Sequence, residues 1–502
     1  MRQIRRCIAS EMKAALLKRV LLAVCAIALL SLTPAASSQS VSCAPATGLA
    51  QSIRAHMDYL AGDALGGRGS ATPQEYKAAE YVASELRRYG VRPAGDDGGY
   101  LQHIALEYRS LAAPPVLSFE TPAADGSKPE QSPDEGAPKL VRWTHGDELA
   151  VVSLGRPNVS GPLQKLDPGD PEAQVKPGAV VLLTSTDESR PLQQAYDVAN
   201  RGAVLVLVPD SPSLGYIWEG ASEHLPRIAP RITALPDRQA TEGTEAVIRE
   251  SAAKMLLSIP EGTIIHLEAQ FKPPRAAETR NVVGVIRGSD PKLRDQAILF
   301  SAHIDHLGMR KNGKHTAIYH GADDDASGVS AVLELARALA AGPPPRRTVL
   351  FALFGSEEIG ELGSTYFAES PPVPLPHIVA ALEFEMIGRP DNAIPPHTLW
   401  LSGFGRSDLG RELAAHGVPI VPDPHSGEHF FERSDNYPLA RDGVVAHTVS
   451  SYGLHRDYHR PSDNLAHIDF PHLTEAVESM IRGAAWLANS DFTPHWLPGQ
   501  KP

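Results

Sequence analysis

The 502-residue sequence predicts an α/β fold, a mixed β-sheet covered by helices on both faces, with a strand-rich insertion. Two patterns carry this expectation. From Thr279 onward, short apolar runs alternate with amphipathic ones, as strands do when helices cover a sheet on both sides. Between residues 140 and 270, short apolar runs instead follow one another, separated by Gly, Pro and Asp clusters. Hydrophobic residues make up 42% and charged residues 21%, an ordinary globular balance that excludes wholesale disorder. A formal charge of −12 argues against a general binder of nucleic acid or anionic membrane.

Taken in order, residues 1–36 read as a secretory signal. Basic residues from Arg2 to Arg19 precede the apolar run Val20 to Leu30, and small residues follow it. Met12 would start a more compact version of the same signal. The apolar run is shorter than the ~20 residues of a membrane span, and no later segment supplies one. Cleavage would take the charge to −17 and leave Cys43 as the single cysteine, so no internal disulfide is expected. Ser40-Val41-Ser42 lacks the apolar residue a lipidation signal would place before Cys43. The expected location is secreted or periplasmic.

Residues 37–111 hold two amphipathic helices, 49–61 and 73–90, around the turn-rich GGRGS stretch. Pro73 suits a first helical turn and Gly90 a stop. Residues 112–139, rich in Pro, Ala, Asp and Glu, read as a connector. Residues 140–270 form the inserted domain, with strand-like AVVSLG, GAVVLLTS, GAVLVLVPD and TIIHLEAQF and a helix near 192–201. Residues 271–502 form the chemistry-bearing domain. Its strands are NVVGVIRG, AILFSAHID, RTVLFALFG, IVAALEFEMIG and GVVAHTVSS, and its helices are 326–341 and 473–488.

Ionisable residues gather at the ends of these strands. AILFSA runs into His303-Ile304-Asp305-His306, TVLFALFGS into Glu357-Glu358, and AALEF into Glu385. Asp323-Asp324-Asp325 opens a helix, and His455 to Asp463 supplies two further histidines and two aspartates. Each group alone has a plain structural reading as a cap, an exposed pair or a core histidine. Acids and imidazoles concentrated at one sheet edge need a compensating charge, which a divalent metal supplies. Mixed His and carboxylate donors suit Zn²⁺, and several carboxylates suit two ions sharing a bridge.

The ordered segments SAHIDHLG, GADDDASG, FGSEEIGELGS, EMIGR and DYHRPSDN resemble the M28 family of zinc aminopeptidases, and YLAGDALGGRGS resembles that family's opening segment. KPGAVVLLTS and ANRGAVLVLVPD give the insertion a looser similarity to a protease-associated (PA) domain. The resemblance implies a zinc exopeptidase-like fold and two Zn²⁺ ions. It implies His303 on one metal, Asp324 as the bridging carboxylate, Glu358 as a terminal ligand, Glu385 as a ligand of the second metal and His459 as the last His ligand. It further implies Glu357 as general base, Asp305 orienting His303, and Tyr458 donating to the oxyanion. The implied substrates are peptides with a free N-terminus; the oligomeric state is not implied.

Three positions depart from the family pattern. Glu385 stands where Asp is usual, Asp325 where Asn is common, and Asn436 where His is frequent. Three rivals remain: a carboxypeptidase of the same fold, a single-zinc glutaminyl-cyclase-like enzyme and a non-catalytic receptor. Only about forty residues follow His459, too few for the carboxypeptidases' helical C-terminal domain. The Glu357-Glu358 pair favours two metals, and the retained ligands favour catalysis.

Overall fold

The computed structural model describes residues 46–122, 138–155, 158–170, 173–187, 190–226, 228–235, 243–312 and 315–502. The signal-peptide reading of residues 1–36 and the position of Cys43 lie outside them. No helix among the described residues is long and apolar enough to cross a membrane.

One sheet of ten strands organises the half of the chain from Thr279 onward, together with strands from residues 92–108 and 231–232. Its centre is four neighbouring parallel strands in the order Ala446–Ser450, Ile378–Phe384, Ala297–His303 and Thr348–Phe354. Every residue of Ala297–His303 and of Thr348–Phe354 is buried, as expected where both faces are covered. The strand period of two sorts their side chains. Ile298, Phe300, Val349 and Phe351 pack beneath the helices Ala46–Leu60, Pro73–Tyr89, Gly328–Ala341 and Phe470–Asn489. Leu299, Leu350 and Phe354 face the opposite way, toward Phe367, Leu439 and Val444. Antiparallel strands extend the sheet on one side through Arg275–Ile286 to Leu101–Tyr108.

The helix Pro73–Tyr89 shows how local sequence sets an element. The Thr72 side chain accepts the Gln74 N–H at 3.3 Å, Pro73 occupies the first turn, and Gly90 ends the helix at φ 81°. The helix near 192–201 is Pro191–Asn200.

A second sheet of eight strands runs in the order Leu140–Thr144, Val116–Glu120, Ile264–Glu268, Asn158–Leu166, Val180–Leu183, Leu205–Pro209, Thr244–Ile248 and Leu149–Ser153. It corrects the reading of residues 112–139 as a plain connector. Val116–Glu120 is a paired strand, with Phe119 opposite Ile265 and Leu117 opposite Trp143. Its VLSFE run is short and flanked by prolines, and one of its two partner strands is some 145 residues away, so little in the run itself marks it. Arg231–Ile232 leaves this layer and joins the edge of the large sheet beside Leu106 and Glu107.

Candidate active site

Three adjacent strands of the large sheet deliver the chemistry at their carboxyl ends, where α/β sheets bind ligands. His303 ends its own strand, Glu357 and Glu358 follow Phe354, and Glu385 follows Phe384. Asp324 sits in the irregular turn Ala322–Ser327 that leads into the helix Gly328–Ala341, and its peptide bond to Asp325 is cis. His459 comes from the loop beyond Ala446–Ser450. Ser356, Met386 and His459 hold left-handed backbone at φ 60°, 52° and 56°, a cost that non-glycine residues bear mainly at functional sites.

Two sets of donors converge on Asp324. In one, a ligand atom from each of His303, Asp324 and Glu385 lies within 4.8 Å of the others; His306, Asp324 and Glu358 make the second. His303 Nε2 is 3.1 Å from Asp324 Oδ1. His459 Nε2 is 3.3 Å from Asp324 Oδ2 and 3.1 Å from Glu358 Oε2. The extra methylene of Glu385 thus leaves its carboxylate among the donors. Both ring nitrogens of His303 are buried without a hydrogen-bond partner among the described residues. Orphaned imidazole nitrogens aimed between carboxylates fit a metal better than they fit a hydrogen-bonded core.

Electrostatics point the same way. Burial opposes charge on His303, yet Asp305, Asp324 and Glu357 hold its pKa well above the usual value. Burial likewise opposes charge on His459, but Asp324 and Glu358 bring it up to about 10. Burial and Asp324 favour a neutral Glu358; His306 and His459 outweigh them and hold its carboxyl down to about 2. The cluster draws in positive charge, which divalent ions would supply in place of these protons. Glu357 goes the other way. Burial raises it well above the usual range, His303 partly offsets this, and Glu358, Glu385 and Asp435 add to the rise.

Asp305 faces the expected His303 and also serves the next loop. Its Oδ1 is 3.7 Å from His303 Nδ1, beyond hydrogen-bond reach. It accepts the Glu357 N–H at 3.0 Å, the Glu358 N–H at 3.3 Å and the Ser70 hydroxyl at 2.6 Å. It therefore fixes the backbone that carries the glutamate pair. Asp325 also faces amides, accepting the N–H of His303 at 3.3 Å, Gly328 at 3.0 Å and Met386 at 3.2 Å. Asn436 is buried, donating to Phe431 O at 3.1 Å and accepting from Thr448 Oγ1 at 2.8 Å. The Tyr458 ring stacks on His459 at 3.8 Å. Burial and the surrounding carboxylates raise its pKa, keeping the hydroxyl protonated. Beside Glu385 lies a small recess of about 20 Å³, lined by Met386, Trp400, Phe430, Arg433, Tyr452 and Tyr458.

Sequence reasoning missed the groups that hold these loops in place. Arg68 is fully buried and donates to Leu60 O, Ile304 O, His320 O and Gly321 O at 2.6–2.9 Å. It thereby joins the GGRGS turn to the loops carrying His303 and Asp324. Beside it, a Cβ on Gly67 would lie 2.0 Å from Tyr319 O, so only glycine fits. Asp323 accepts the Gly388 N–H at 2.7 Å and meets His455 Nε2 at 2.9 Å. The GGRGS glycines and the acid-rich loops were visible in the sequence, but their partners were not.

Residues 281–484 match peptidase family M28. The chain is 27% identical over 330 residues to a probable lipoprotein aminopeptidase, LpqL, of Mycobacterium tuberculosis, covering 64% of this chain and 61% of that one. It is 26% identical over 243 residues to a probable zinc metalloprotease of Pyrenophora teres f. teres, covering 42% and 49%. The chain thus spans about half to three fifths of the length of these curated relatives. Among solved structures, an aminopeptidase from Aneurinibacillus sp. strain AM-1 aligns at 18% identity and a TM-score of 0.49, covering 90% of this chain and 95% of that one. The match to peptidase family M28 covers residues 281–484, the stretch that carries every donor named above.

Proposed function

We propose that the protein is a secreted or periplasmic zinc aminopeptidase that removes N-terminal residues from peptides. One observation carries the reading: two sets of His and carboxylate donors share Asp324 at the sheet edge, beside a glutamate that none of them uses. His303, Asp324 and Glu385 would hold one Zn²⁺, and Asp324, Glu358 and His459 the other. Bound there, the ions would supply Lewis acidity, acidifying water and polarising the scissile carbonyl.

The chain's own residues account for the remaining steps. Glu357, its pKa raised by burial, takes the proton of the attacking water and returns it to the departing amine. The protonated Tyr458 hydroxyl donates to the oxyanion of the tetrahedral intermediate. The eight-stranded layer is the PA-like domain in this reading. It borders the site where Arg190 Nη1 meets His429 Nε2 at 2.9 Å, next to Phe430.

Aminoacyl-p-nitroanilides with free and blocked amines test the reading. Hydrolysis of the free-amine substrates should be lost in chelator and restored by zinc. Chelator-insensitive turnover, or equal turnover of blocked substrates, would overturn it.

A further inference from the structure

We propose that His306 is a positioning residue of the metal centre: its Nδ1–H holds one oxygen of Glu358 so that the other is presented toward His459 and Asp324. The proposal rests on the metal reading above and adds a residue to it.

His306 is completely buried, yet it does not behave as a packed core histidine. Its Nδ1 lies 2.6 Å from Glu358 Oε1. Its Nε2 is buried without a partner among the described residues, which fits a ring protonated on Nδ1. The backbone on which it sits is fixed. His306 N–H donates to Arg68 O at 3.1 Å, and His306 O accepts from Ser70 N–H at 3.2 Å. The ring packs on Gly321, where a Cβ would come within 2.5 Å of His306 Cγ.

The two oxygens of Glu358 therefore have separate duties. Oε1 faces His306, and Oε2 lies 3.1 Å from His459 Nε2. Spacing separates a ligand from a positioning group. Two donors on one tetrahedral zinc, each at ~2.0–2.1 Å, stand about 3.3 Å apart. The His459 contacts with Asp324 and Glu358, at 3.3 and 3.1 Å, match that spacing, and so does the His303 contact with Asp324 at 3.1 Å. The His306 contact with Glu358 is shorter, at 2.6 Å, a charge-assisted hydrogen bond rather than a shared coordination edge. Partners of this kind orient metal-ligating carboxylates and typically matter by roughly 10–100-fold in metal affinity.

The test uses the full chain and measures zinc affinity against a competing chelator, with Co²⁺ absorption as a second readout. The wild type should bind two ions. His306→Ala should weaken one of them by roughly 10–100-fold and shift the Co²⁺ spectrum of that site, leaving the ion held by His303 unchanged. His306→Asn places an amide N–H near the Nδ1 position and should recover most of the affinity. His306→Gln reaches past that position and should not, which keeps the comparison open if the Ala variant fails to fold. Two full-affinity ions in His306→Ala would overturn the assignment. So would an Asn variant as weak as Gln, because that pattern belongs to a direct ligand. A wild-type chain that takes up no divalent ion would overturn the metal reading itself, and this assignment with it.

Discussion

Asp463 Oδ2 accepts the backbone N–H of Asp324 at 3.1 Å, while its Oδ1 accepts the N–H of Asp323 at 2.9 Å. A carboxylate from the far end of the chain thus holds the turn on which both donor sets converge. Asp463→Ala would leave these buried amides unpaired. We expect a loss of about 1–3 kcal/mol in stability and a fall in zinc affinity, read by urea unfolding and chelator competition.

Glu357 sits beside the donor sets without belonging to either. Glu357→Gln should fold and take up zinc as the wild type does, while kcat falls by roughly 10²–10⁴-fold. An active Gln variant would remove Glu357 from its role as base.

Arg68 satisfies four carbonyls in a fully buried setting. Burial lowers its pKa, and Asp325, Asp324, Asp305 and Asp463 oppose that. Arg68→Ala should cost more than about 3 kcal/mol. It should also disorder the loops on either side of it, seen as faster amide exchange at Ile304 and Gly321.

His447 provides a pH test away from the metal centre. It is buried between Ser402 O and Ser407 Oγ, each at 2.7 Å, and burial lowers its pKa to about 4. Above about pH 6.5 it is neutral in both folded and unfolded chains and adds no pH dependence. As pH falls from there toward 4, the unfolded chain takes up a proton that the folded chain refuses. Stability should therefore decline across that window by roughly 3 kcal/mol. His447→Gln should show a shallower decline in urea unfolding between pH 6.5 and 4; an unchanged slope would contradict the assignment.

By itself, the sequence determined the elements whose signals are local. Continuous apolar runs such as TVLFALF became buried strands, and the Thr72, Pro73 and Gly90 punctuation became a helix with matching ends. It also placed His303, Glu357 and Glu385 at strand ends, because a run of apolar residues followed at once by a charge marks the edge of a sheet. Only the tertiary structure decided what those residues meet. The partner of Asp324 is Asp463, that of Arg68 is Ile304, and that of His306 is Glu358, each pair brought together across long stretches of chain. Asp305 reaches the amides of Glu357 and Glu358 as well as facing His303 for the same reason. A side chain's type sets what it is able to bind, while the packing of strands, turns and helices sets which group comes within 3 Å.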